Sequence, residues 1–122
     1  MSKIPVGWHR HSNGGGLVED TAAVDETAFI GPDAMVYGKA WVGSKARVVG
    51  NAWVGDNAWV GDDARVFDHA WVGDDVRVFD TAVVCGYAML WGHVWVGDRA
   101  WVGGTAKVRG DTHLWGNTRI SE

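Results

Sequence analysis

Chemistry in this 122-residue chain would have to come from a few side chains: five histidines, a single cysteine and aspartates that recur at a fixed interval. His69 and His93 are the interior pair for which a shared metal is worth testing, since imidazole binds zinc at about 2.0–2.1 Å and two ligands must converge to do so. They stand 24 residues apart. His9 and His11 form an H-x-H near the start, a pattern that could hold a metal loosely or be an ordinary mobile leader. Asp62, Asp80 and Asp98 recur every eighteen residues with Asp63 beside the first. Stacked carboxylates repel, and a hard divalent cation with oxygen ligands would relieve them. The alternative is that each aspartate is a turn former bonded to its own backbone, with Lys45 and Arg99 softening the repulsion. Cys85 has no second cysteine to pair with, and its place at a corner predicts a bystander thiol rather than a nucleophile.

What positions these groups is a register of six. From Gly15 to Glu122 the chain divides into eighteen consecutive hexapeptides with no insertion. The second slot holds a small residue (Ala22, Ala28, Ala34, Ala40, Ala46) and the fourth an aliphatic one (Val18, Val24, Ile30, Val36, through Leu114 and Ile120). So short a period, A-x-V and then a turn, predicts a parallel β-helix in which no repeat buries its apolar side alone. Residues two apart on a strand share a side, so the second and fourth slots face inward and the third faces out. The core is therefore alanine and valine.

The A-x-V-G-D pattern, as in Asn51–Asp56 and Asn57–Asp62, resembles the hexapeptide-repeat family over Gly15 to Glu122. That resemblance implies an all-β fold: a left-handed parallel β-helix of about six coils, three hexapeptide strands per coil, after a short N-terminal capping segment, residues 1–14. It speaks to fold far more than to function. The opening GGGLVEDTA, Gly14–Ala22, also resembles bacterial and prophage hexapeptide proteins, which implies the alternative of a phage-encoded inhibitor of a host protein. The family further includes acyltransferases and γ-class carbonic anhydrases, so an enzyme with an inter-subunit site, using His69 or His93, is a third expectation. The family's acyltransferases place their histidine near a loop or domain that interrupts the coils; this chain has no interruption.

With three repeats per coil, residues eighteen apart stack at about 4.8 Å and the prism is roughly 29 Å tall. The outward slots then fall into three columns. One reads Leu17, Met35, Trp53, Trp71, Met89, Lys107; the next Ala23, Trp41, Trp59, Arg77, Trp95, His113; the last Phe29, Arg47, Arg65, Val83, Trp101, Arg119. Leu17, Met35, Trp53, Trp71 and Met89 would present on the order of 500 Å² of apolar surface, worth roughly 10 kcal/mol gross if covered. These five, with Trp41, Trp59, Arg77 and Trp95, are the predicted partner-binding residues, and the simplest partner is another copy, as a trimer or dimer. Arg77 is placed to stack between Trp59 and Trp95. On the same alignment His69 and His93 occupy different corners, where they cannot share a zinc ion within one chain.

Composition agrees. Eighteen glycines against two prolines suit many tight corners, and a net charge of −4 argues against a nucleic-acid binder. No apolar run is long enough to cross a bilayer and no signal peptide is legible, so a cytoplasmic location is expected. No cofactor, metal site or catalytic residue is predicted. Ice binding is disfavoured because the outward slots carry Trp and Arg rather than Thr ladders. Trp columns suit sugar rings, but a prism face is expected to be too flat for a carbohydrate groove. Trp8 is predicted to cover the first coil, and the last coil, with Thr112 and Thr118 in the small slot, to invite end-to-end pairing.

Overall fold

The computed structural model describes residues 4–122; the first three residues of the leader lie outside them. All nineteen regular elements among the described residues are strands, most of them two residues long. Past the leader, every strand is formed by the third and fourth slots of a hexapeptide, where an outward side chain alternates with an inward aliphatic one. Strand β1 (Trp8–Arg10) runs antiparallel to β2 (Leu17–Glu19), with Trp8 opposite Glu19 and Arg10 opposite Leu17. All other pairings are parallel and join residues eighteen apart, such as Trp53 with Trp71 and Val54 with Val72. The strands form one seven-stranded and two six-stranded sheets. The chain is thus a parallel β-solenoid of about six coils and three faces.

The interior is filled as the alternation requires. Ala28, Ala40, Ala46, Val36, Val42 and Val48 have no accessible surface, and the same holds through Ala100 and Val102. Small and aliphatic inward residues alternate along the chain, and together they form one continuous hydrophobic core.

Most corners are β-turns closed from the second slot's N–H to the fifth slot's carbonyl, as from Ala58 N to Gly55 O at 3.0 Å. The sixth slot takes positive φ, the requirement of a type II′ turn at its first central residue. Glycine fills it at Gly38, Gly50, Gly86, Gly92, Gly104, Gly110 and Gly116, and aspartate at positions 56, 62, 68, 74, 80 and 98, with φ between 50° and 63°. Four early corners depart: Asp20, Glu26 and Pro32 fill the sixth slot without positive φ, and at the fourth Lys45, in the first slot, carries φ 65° in place of Ser44.

The leader makes several contacts with the first coil. Trp8 is half-buried in β1, and His11, 7 % exposed, donates its Nε2–H to the Ala28 carbonyl at 2.8 Å. Asn13 adds its carbonyl as acceptor for Ile30 N at 3.1 Å and its amide as donor to Thr27 O at 3.3 Å. Gly14, at φ 109°, passes so close to Ile30 that a Cβ there would lie 2.2 Å from its carbonyl oxygen. These contacts satisfy polar backbone that the first coil would otherwise leave unpaired.

Candidate interaction face and groove

The three outward columns form as the register predicts. Leu17, Met35, Trp53, Trp71, Met89 and Lys107 follow one another at paired Cα positions on the seven-stranded sheet, hereafter the first face. Trp41, Trp59, Arg77, Trp95 and His113 do so on the second face. The apolar residues of the first face are not uniformly open. Trp53 is 46 % and Met89 39 % exposed, whereas Leu17, Met35 and Trp71 are half-buried.

The reason lies in the fifth slot, which shares the outward side with the third. All six tryptophans of the third slot, at 41, 53, 59, 71, 95 and 101, are followed two residues later by glycine. Three indoles fold down into the space this leaves: a Cβ on Gly43 would meet Trp41 at 2.6 Å, one on Gly73 Trp71 at 2.7 Å and one on Gly103 Trp101 at 2.5 Å, whereas the space at Gly55 is taken by Tyr37 and that at Gly97 by Phe79, each from the preceding coil. Where the third slot holds arginine or methionine, the fifth is filled: Arg47 with Val49, Arg65 with Phe67, Arg77 with Phe79, Met35 with Tyr37, Met89 with Trp91. The two outward slots trade volume. This pairing was readable in the sequence as repeated W-V-G and is absent from the column argument, which treated the third slot alone.

The second face is a continuous π stack. Trp41 and Trp59 lie 4.9 Å apart at 22°, the Arg77 guanidinium carbon is 6.0 Å from the Trp59 centroid and 5.5 Å from that of Trp95, and Trp95 stacks on His113 at 4.8 Å. Each exposed cation–π contact contributes roughly 0.5–1 kcal/mol. Arg77 therefore has its partners within the chain.

The first face carries a groove of about 890 Å³ along the solenoid axis. Trp53, Trp71 and Met89 form one wall, Asn51, His69 and Tyr87 the other, with Ala70 between them. The face is concave here, against the flat prism wall expected from the repeat. His69 and Tyr87 belong to the corner that precedes this face, and their rings stack at 4.9 Å, 6° from parallel. Tyr37 lies on the same face and accepts the Trp71 indole N–H at 2.7 Å. Burial raises the Tyr37 phenol above its ordinary value; the Trp71 bond opposes this, and the Asp56 and Asp74 charges add to it.

His93 sits at the next corner, its Nδ1 3.8 Å from Asp75 Oδ2, on the far side of the face from His69. His9 Nδ1–H donates to Asp20 Oδ1 at 2.7 Å while His11 turns to Ala28, so the leader histidines have separate partners. Among the described residues no group of three histidine, cysteine or carboxylate side chains is arranged to hold a metal ion. Asp62, Asp80 and Asp98 do stack, but each carboxylate reaches the next coil rather than its own turn. Oδ2 of Asp62 accepts Asp80 N at 3.3 Å, that of Asp80 accepts Asp98 N at 3.0 Å, and that of Asp98 accepts Gly116 N at 3.0 Å. Asp56, Asp68 and Asp74 do the same for Asp74, Gly86 and Gly92. The stacked carboxylates are bound by backbone donors, which is a structural role for the column.

Cys85 is buried, and burial, followed by the Asp68 charge, raises its thiol above the ordinary value. That environment opposes thiolate formation. Among the described residues no helix is long and apolar enough to cross a membrane. The fold defines a parallel β-solenoid with aromatic-paved outer faces. No protein-family model, curated protein or solved structure matches the chain.

Proposed function

We propose that the chain is a non-catalytic interaction protein of the left-handed hexapeptide-repeat kind, which self-associates or binds a protein partner through its outward Trp and Met columns. The observation that carries this reading is the first face: one column of Leu17, Met35, Trp53, Trp71 and Met89, with its two most exposed members beside a groove of about 890 Å³. Open Trp and Met side chains around a concavity are what a protein interface buries at its centre. The second face contributes Trp41, the one exposed tryptophan of its stack, at 39 % exposure. A homo-oligomer is the simplest form, because a single face repeated by rotation closes a dimer or trimer.

The test is absolute mass in solution by light scattering during size exclusion, native chain against Trp53→Glu, Met89→Glu. These two are chosen because both project outward, whereas Trp71 also holds Tyr37. A dimer or trimer that becomes a folded monomer supports self-association; a native monomer directs the search to a foreign protein. A native oligomer of unchanged mass in the variant removes the first face from the reading.

His69 on the groove wall favours a second reading, an enzyme whose site is completed by a neighbouring subunit. Stoichiometric zinc in the purified protein, or acyl-coenzyme A binding lost on His69→Ala or His93→Ala, would select it.

A further inference from the structure

The outward columns of the second and third faces hold four arginines, one on the second face and three on the third, and they divide into two kinds. Arg77 lies between Trp59 and Trp95, and the Arg119 guanidinium carbon lies 5.0 Å from the Trp101 centroid. Arg47 and Arg65 sit at paired Cα positions one coil apart and have no such ring contact. Among the described residues no carboxylate lies within 4.0 Å of either guanidinium. Two like charges in register repel, and a chain with more acidic than basic residues has left this pair without a counter-ion.

Two concavities meet at that pair. One, of about 410 Å³, is lined by Lys45, Arg47 and Arg65 together with Asp63, so three cations face one carboxylate. Lys45 carries its positive φ, 65°, in the first slot of its corner, where the later corners carry it in the sixth. The second, of about 350 Å³, is lined by the same two arginines with Phe29, Val49 and Phe67. One space is cationic and the other apolar, and Arg47, Arg65 and Phe29 belong to both.

We propose that Arg47 and Arg65, with Lys45, bind the phosphate or sulfate group of an organic ester whose apolar part lies against Phe29 and Phe67. A tetrahedral oxyanion accepts from two guanidinium forks at once and cancels the repulsion between them. The adjoining aromatic space gives the organic group a surface that free phosphate would leave empty. This site is on a different face from the Trp and Met column and stands independently of the proposed function.

Isothermal titration at low ionic strength with phenyl phosphate, phenyl sulfate and inorganic phosphate tests it. Phenyl phosphate or phenyl sulfate binds saturably and more tightly than inorganic phosphate, and the tighter of the two identifies the ester. Arg47→Gln and Arg65→Gln each weaken that binding about tenfold, in line with the loss of one charge-assisted bond, and the double variant abolishes it. Arg99→Gln, in the same corner column as Lys45 but three coils further along, leaves it unchanged. The thermal midpoints of Arg47→Gln and Arg65→Gln stay at or above the native value, since each relieves a like-charge pair, so lost binding is not lost folding. No saturable binding of any of the three compounds, or equal binding by the double variant, overturns the site. Inorganic phosphate binding as tightly as phenyl phosphate overturns the role of Phe29 and Phe67.

Discussion

The Trp71 indole N–H donates to the Tyr37 hydroxyl oxygen at 2.7 Å, joining side chains thirty-four residues apart. The intervening coil offers no obstacle because Gly55 lies under the Tyr37 ring: a Cβ there would come within 2.0 Å of it. The edge of Trp53 meets the same ring at 6.3 Å and 85°. Three successive coils of the first face are tied by one tyrosine lying along the axis.

A double-mutant cycle on Tyr37→Phe and Trp71→Phe should return a coupling of about 1 kcal/mol, the net worth of a partly buried hydrogen bond. Urea denaturation of the four proteins measures it; additive single effects would mean that the bond contributes nothing.

Substitution of Gly55 by alanine should cost about 1–3 kcal/mol, because the methyl group must displace the Tyr37 ring and break its bond to Trp71. Gly61→Ala is the control. Its nearest neighbours, Trp41 and Trp59, stand 3.5 Å and 3.6 Å from the added carbon, an ordinary contact, so its stability stays at or slightly above the native value. Equal loss at both positions would refute the account of the tyrosine.

Tyr37 also sets a pH dependence. Its phenol is raised by burial, so the folded state holds the proton where the unfolded chain has begun to release it. The stability this contributes is complete below the ordinary tyrosine value of about 10 and is lost as pH rises through the folded value. Absorbance titration of the phenolate in native protein and in Tyr37→Phe should show the late-titrating chromophore disappearing in the variant, with Tyr87, which is exposed, remaining.

The aspartate ladder predicts an ordering at Asp80, which has φ 58° and accepts from Asp98 N at 3.0 Å. Asp80→Asn keeps both an acceptor oxygen and tolerance of positive φ, and is nearly neutral. Asp80→Gly loses the bond but relaxes the backbone, and costs less than Asp80→Ala, which loses both, at about 2–3 kcal/mol. Thermal midpoints rank the three, and a different order would show that backbone strain or the bond is not acting as described.

The solenoid was legible because one strict period determines which residues stack, and the paired positions of Trp53 with Trp71 or Arg65 with Arg47 follow from counting by eighteen. What counting does not give is volume. The glycine two residues after each third-slot tryptophan resembles turn punctuation, although it provides space for a ring, the repeat's own indole at Gly43, Gly73 and Gly103 and a ring of the preceding coil at Gly55 and Gly97. The sixth-slot aspartates were read as turn formers, and the longer reach of their carboxylates to the next coil depends on corner geometry that periodicity does not contain. His11 lay outside the repeat, where no pattern marked it as the residue covering Ala28. The groove of the first face is likewise a matter of volume: its lining takes residues of the first slot, Asn51, His69 and Tyr87, together with the third-slot column.

The trade of volume between the third and fifth slots makes the hexapeptide, not the residue, the unit in which this surface can change. A W-V-G repeat brings an indole and an open space beside it, and an R-V-F repeat a guanidinium and a fifth-slot ring. The space is filled by the repeat's own indole at Gly43 and Gly73 but by the preceding coil's Tyr37 at Gly55, so a repeat moved between coils of equal register keeps the alanine and valine interior and must still match the fifth-slot side chain of the coil before it. A single substitution that mixes the two, leaving an indole above a phenylalanine or an arginine above a bare glycine, would misfit its neighbour.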